Sequence, residues 1–208
     1  MELSYSNSEK NSIKKFIEKH FGKIIMTYGE IVKETGMEIV LADKTEDMPF
    51  YKLLTVGMGS REMNIPPEYK KYVPSRIELC FYLHESWQID KLSNEMKYAW
   101  PVEILKKLSV FPFENNTFLA HEHTLNNNSP LCDYVDYTAM LMLSAISSRD
   151  FIPSYHLGLT KKVSFISIYP IYNDEYIFKR ENSSLDLINI IDDEDFPVVK
   201  QTRENYGK

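Results

Sequence analysis

The segment Trp100–Leu125, WPVEILKKLSVFPFENNTFLAHEHTL, constrains this chain more than any other stretch. Pro101 suits a first helical position, where no N–H is needed and φ is already set. Pro101, Ile104, Leu105 and Leu108 then recur at i, i+3, i+4 and i+7, the spacing of one buried helical face. The pattern predicts a helix over 100–110, broken at Phe111-Pro112-Phe113. Beyond the break a strand is expected, ending in an ionisable cluster: Glu114, His121, Glu122 and His123 fall close together.

The rest of the chain mixes both periodicities. Ser6-Asn7-Ser8-Glu9 has the form of a capping box. Behind it Ile13, Phe16, Ile17, His20 and Phe21 form an apolar helical face, predicting a helix over about 9–21 closed by Gly22. MEIVLA (37–42), FYKLLTV (50–56), RIELCFYL (76–83), YTAMLMLSAI (137–146) and VSFISIY (163–169) read as strands. The 137–146 run is apolar throughout and is expected to be central. Short helices are predicted over 172–180 and 184–191, the second with Ser184 as N-cap. The 200–208 tail is polar and expected to be flexible. Short loops between strands imply antiparallel pairs. The expected fold is therefore mixed α+β: a mixed, largely antiparallel sheet packed by helices in a layered sandwich. With no repeat or linker, residues 1–208 read as a single domain.

Composition narrows the function. A net charge of −6 argues against a nucleic-acid-binding body, which normally shows a basic face. The charge suits solubility and is compatible with a basic partner. Cys80 and Cys132 are far apart and in no CxxC pattern, as in a reducing compartment. Cys80, within IELCFYL, is expected to be a buried inert thiol. The first twelve residues lack the basic and apolar regions of a signal peptide, and no apolar run approaches ~20 residues. A cytoplasmic protein with no membrane contact is expected.

Catalytic signals are weak. His121 and His123, at i and i+2 of a strand, would share a face and could converge on a metal ion, with Glu114, His156 or Cys132 as further ligands. HxH alone is unspecific, and neither HExxH nor paired CxxC accompanies it. There is no GxSxG elbow. Glu114 and Glu122 could form an acid–base pair but read more simply as solvated carboxylates. No catalytic residue and no cofactor is assigned, and the chain is not expected to be an enzyme. Trp87, Tyr98, Trp100, Phe111 and Phe113 read as core. Phe111 and Phe113 straddle Pro112, so one is expected to face in and the other out, where an aromatic could anchor a protein contact.

Four pieces, in order, resemble the suppressor of fused family, and in particular its single-domain bacterial members. Thr55-Val56-Gly57-Met58-Gly59-Ser60-Arg61-Glu62-Met63-Asn64 looks like the family's T-x-G-M-S-x-x-P-M loop, with Glu62 in place of the proline. Glu78-Leu79 through Trp87 resembles its strand-to-tryptophan segment. Trp100-Pro101 through Leu125 resembles the W-P…L-K-x-L…F-P…E-x-N-T-[WF]…G-H-T signature. Ile168-Tyr169-Pro170-Ile171-Tyr172 with Glu175 resembles a late strand before an acidic helix. The resemblance covers about residues 37–205. It departs at Ala120-His121-Glu122-His123, where the glycine usual before the histidine is replaced by Glu122 or lost to a one-residue difference.

The resemblance implies a mixed α/β fold and no catalytic activity. Animal members bind a transcription-factor peptide in Hedgehog signalling, using a second domain for which this chain is too short. Their peptide contacts imply Phe111, Glu122 and His123 as partner-binding positions here. Bacterial members are proposed to be immunity proteins that neutralise a cognate toxin, and the Lys, Ile and Asn richness suits a bacterial chain. The expected function is thus a protein-binding domain with a protein partner, a polymorphic toxin in the bacterial case. A metal-dependent enzyme using His121 and His123, or a signalling adaptor binding an extended peptide, are the alternatives.

Overall fold

A computed structural model describes residues 4–32, 36–147 and 154–208. The chain begins with α1 (Asn7–His20), and the capping box is present: Glu9 N–H donates to Ser6 Oγ, and the Glu9 carboxylate accepts from Ser6 N–H. The strands are β1 (Ile24–Val32), β2 (Met37–Ala42), β3 (Tyr51–Val56), β4 (Ile77–Leu83), β5 (Thr124–Asn126), β6 (Ala139–Ser144), β7 (Ser154–Leu157) and β8 (Lys161–Ile171). The other helices are α2 (Met96–Glu114), α3 (Asn173–Glu181) and α4 (Ser184–Ile190).

The strands form one sheet in the order β1-β2-β3-β4-β8-β6-β5, with β7 paired to the start of β8. Every pairing is antiparallel except β4 with β8, in which Ile77 lies opposite Ser164. Alternation along the strands gives two apolar faces. One face carries Ile39, Leu53, Leu79, Phe81, Met142 and Ile168 against Trp100, Leu105 and Leu108 of α2. The opposite face splits in two. Val40, Leu54, Cys80 and Phe165 meet Ile13 and Ile17 of α1, whereas Leu141, Leu143 and Tyr169 meet Leu187 of α4. Helices on both faces make the mixed layered sandwich, folded as a single domain. Among the described residues no helix is long and apolar enough to cross a membrane.

Several expectations need correction. Strands β1, β5 and β7 carry no clean alternation and were not expected. β6 is an interior strand, paired with β8 on one side and with the short edge strand β5 on the other. Its apolar character goes with that place and with cover on both faces. The N-cap of α4 is Ser183, whose Oγ accepts from Asp186 N–H, rather than Ser184.

α2 departs most from expectation. It starts at Met96 and runs through Pro112 to Glu114, with no break at 111–113. Leu105, Leu108, Ser109 and Pro112 continue one buried stripe, and burying it against the sheet outweighs the lost backbone bond. Pro101 lies inside the helix rather than at its first position. A proline there cannot donate to the carbonyl four residues back. Gln201 Nε2 donates to that Lys97 carbonyl instead, at 2.7 Å.

The tail expected to be flexible is docked. Arg203 makes two bonds to Glu175, of 2.5 and 2.7 Å, with both side chains essentially inaccessible. Its guanidinium lies among the rings of Tyr137, Tyr169, Tyr172 and Tyr206, 5.0–5.9 Å from their centroids. Glu175 also accepts from Tyr172 N–H at the start of α3, so one carboxylate caps a helix and anchors the tail.

Candidate functional site

The ionisable and aromatic residues of the 111–123 segment span the end of α2 and lead into β5. Asn115 N–H donates to Phe111 O, and Asn116 then adopts φ 50°, the left-handed conformation that asparagine tolerates at a helix end. Asn64 Nδ2 donates to Asn116 Oδ1, tying this exit to the loop after β3. The strand expected here is absent. Residues Leu119–His123 form a turn in which His123 N–H donates to Ala120 O. The turn is fixed to β6, with Glu122 N–H donating to Met142 O at 2.7 Å and Met142 N–H to His123 O at 2.8 Å. Lys179 Nζ of α3 donates to Glu122 O at 2.9 Å.

Glu122 occupies this turn with φ 65°. That is a conformation glycine adopts freely and a longer side chain adopts at a cost on the order of 1 kcal/mol. The carboxylate is exposed. A charged residue thus holds a backbone position suited to glycine.

The turn overturns the basis of the histidine pair. His121 and His123 do not share a strand face, because the left-handed residue between them redirects the chain. His121 Nδ1 accepts from Ser144 N–H at 3.0 Å. His123 is half-buried with its ring 4.9 Å from that of Phe118. Burial, with the positive charge of Lys179 as a lesser cause, holds its imidazole below the usual range. Among the described residues no group of three or more His, Cys, Asp or Glu is placed to hold a metal ion. Cys132 is half-buried, with its thiol raised by burial. Cys80 is fully buried and pushed up to about 12. Neither thiol is activated.

The aromatics divide differently from the expected in-and-out pair. Pro112 is buried, and Phe111 and Phe113 on either side of it are each half-buried. Phe111 packs on the α2 core. The Arg61 guanidinium lies 3.7 Å from the centre of the Phe113 ring, so Phe113 is covered by a cation rather than by solvent. Trp87 and Trp100 pack edge to face with centroids 6.0 Å apart and join α2 to the sheet.

The glycine-bearing loop after β3 has a role that strand alternation hid. Glu78 of β4 has no exposed surface. Its carboxylate accepts from Thr55 Oγ1 at 2.6 Å and from the N–H groups of Gly57 and Gly59 at 3.0 and 3.1 Å. Thr55 Oγ1 accepts in turn from Leu79 N–H. Gly57 has φ 134°, and a Cβ there would lie 2.9 Å from the Met37 backbone. Thr55, Gly57 and Gly59 thus build a cradle for a buried carboxylate. Burial pushes the Glu78 carboxyl up to about 7 even though its donors pull the other way. The Tyr5 hydroxyl faces the same site and is held in its phenol form by burial and by Glu78. A glutamate on an alternating strand looks solvent-facing; the signal that could have found it was the Thr-x-Gly-x-Gly spacing.

Beside the 120–123 turn opens a groove of about 700 Å³. Its floor is the outer end of β6 and β8, and its walls are residues 71–76 and Ala120–His121.

A layered α+β domain whose surface chemistry gathers around an ordered turn and a groove is the class these features define. The chain belongs to the suppressor of fused family: the family model described as Suppressor of fused protein (SUFU) matches residues 33–204. Comparison with curated proteins gives no significant match. Among solved structures, a protein described as a SUFU homolog from Neisseria gonorrhoeae FA 1090 aligns with a TM-score of 0.59 at 14% identity, over 96% of each chain. The Sufu-Fu complex aligns with a TM-score of 0.57 at 11% identity, over 88% of this chain and 83% of that one. Drosophila Suppressor of Fused aligns with a TM-score of 0.50 at 14% identity, over 74% of this chain and 37% of that one. At these identities the likeness is one of fold.

Proposed function

We propose that this chain is a non-catalytic protein-binding domain that acts as an immunity protein, occluding the active site of a cognate toxin. The observation that carries the reading is Glu122: an exposed carboxylate on a left-handed backbone, clamped by β6 and Lys179. Strain retained at an exposed, rigidly supported position points to a contact role. His123 and Phe111, both half-buried, are the further contact residues of this proposal. The Sufu-Fu complex supports a protein partner for this fold. Rigid presentation of Glu122 lowers the entropy lost on binding, and its charge aids encounter with a basic active-site rim.

The test is affinity capture from the native host with wild-type protein and Glu122→Lys, followed by co-expression of the captured partner. The reading expects one toxin, retained by wild type and lost with the variant, and rescue of growth by wild type alone. A captured partner that is not toxic, or one held equally by Glu122→Lys, refutes the immunity role or the Glu122 contact respectively.

A further inference from the structure

We infer that the groove beside the 120–123 turn is a second docking site, one that takes an acidic extended segment of a partner protein. This rests on the protein-binding reading but places a contact of opposite charge sign to Glu122. The chain as a whole is acidic, with a net charge of −6, yet among the described residues the charged side chains lining the groove are Lys71, Arg76 and Lys162, with His121 beside them and no carboxylate. Among the described residues neither Lys71 nor Lys162 has an ion-pair partner, whereas nearby Lys161 is engaged by Glu9 at 2.6 Å. Because His121 Nδ1 accepts from Ser144 N–H, the proton of its neutral ring lies on Nε2, as a further donor. Cations brought together from two separate parts of the chain, with only Arg76 of the three holding a carboxylate partner, fit an anionic ligand.

Two observations favour a peptide strand over other anions. Among the described residues β4 pairs with β8 only from Ser164 onward, so the Lys161–Lys162 end of β8, held by β7 on its other side, offers an unpaired strand edge on the β4 side. Tyr72 on the wall is 77% exposed and Leu159 next to the groove is fully exposed, apolar partners for side chains that alternate with carboxylates along a strand. A continuous phosphate backbone suits the site less well, because Glu62, which pairs with Arg76 at 3.3 Å, and Glu122 border it. Discretely spaced carboxylates can avoid both.

The experiment uses the full chain and fluorescence anisotropy, so it needs no toxin. The probe is a labelled peptide of about eight residues in which glutamate alternates with valine and tyrosine. Comparison probes are the same peptide with lysine for glutamate and an oligothymidylate of similar length. We expect binding of the acidic peptide alone, weakened several-fold as salt rises from about 50 to about 500 mM. Lys71→Glu/Lys162→Glu should weaken it about tenfold or more, and Lys71→Gln/Lys162→Gln by less. Lys106→Glu/Lys107→Glu, the same charge change on the exposed side of α2, should leave it unchanged. All four lysines are exposed, so the thermal midpoints should stay together. Equal binding by wild type and Lys71→Glu/Lys162→Glu, no binding of the acidic peptide, or tighter binding of the oligothymidylate overturns the inference. The Glu122→Lys variant should still bind the peptide, so failure of the toxin reading and failure of this site give different results.

Discussion

Replacing Glu78 with glutamine isolates the energetics of the carboxylate cradle. The carboxyl is fully buried and titrates at about 7 in the folded chain, against 4.5 for the ordinary group. A group whose folded pKa is raised favours folding relative to its ionised form below the unfolded value, and that contribution is lost as pH rises through the folded value. The window is therefore pH 4.5 to about 7. One pKa unit corresponds to about 1.4 kcal/mol, so between pH ~5 and ~8 wild type should lose about 2–3 kcal/mol through this group alone. Glutamine keeps an oxygen for the Gly57 and Gly59 N–H groups, and its NH2 can donate to Thr55 Oγ1. It cannot ionise. Urea unfolding of both proteins at the two pH values cancels every titration they share. The expected result is Glu78→Gln equal to or slightly less stable than wild type at pH ~5 and more stable at pH ~8, with the difference moving by about 2–3 kcal/mol. A difference that stays constant across the two pH values would refute the burial argument, since it would mean that Glu78 titrates alike in the folded and unfolded chains.

Two further outcomes follow from the site and the tail. Glu122→Gly relieves a left-handed backbone, so its urea midpoint should match or exceed wild type, to within about 0.5 kcal/mol, while capture of the partner is lost; Glu122→Val should instead destabilise by more than about 1 kcal/mol. Arg203→Met strands Glu175 in a buried site and should destabilise by about 3–5 kcal/mol on thermal or urea unfolding. The double variant Arg203→Met/Glu175→Met should recover part of that loss; a double variant as unstable as the sum of the singles would show that the pair is not coupled.

Elements with local signals were readable. The α1 capping box, the 37–42, 50–56, 76–83 and 163–169 strands, and the burial of Cys80, Trp87 and Trp100 all rest on short-range spacing, and the structure keeps them within a residue or two at most ends. The order of the four motif pieces placed the chain in its family. The failures share a cause. Whether Pro112 breaks a helix depends on the stripe that Leu105 and Leu108 bury beneath it. Whether 120–123 is a strand or a turn depends on Met142, whose backbone bonds to both Glu122 and His123.

The sequence by itself determined α1, the strands at 37–42, 50–56, 76–83 and 163–169, the apolar face of each, and that the chain belongs with suppressor of fused proteins, because each of these follows from residues a few positions apart. Only the tertiary structure decided that Glu78 is buried under the Thr55–Gly59 loop, that Arg203 returns to Glu175, and that Lys71, Arg76 and Lys162 face one groove. Those are meetings of distant residues, and the chain entropy lost in bringing them together is offset only by the packing of the whole sheet.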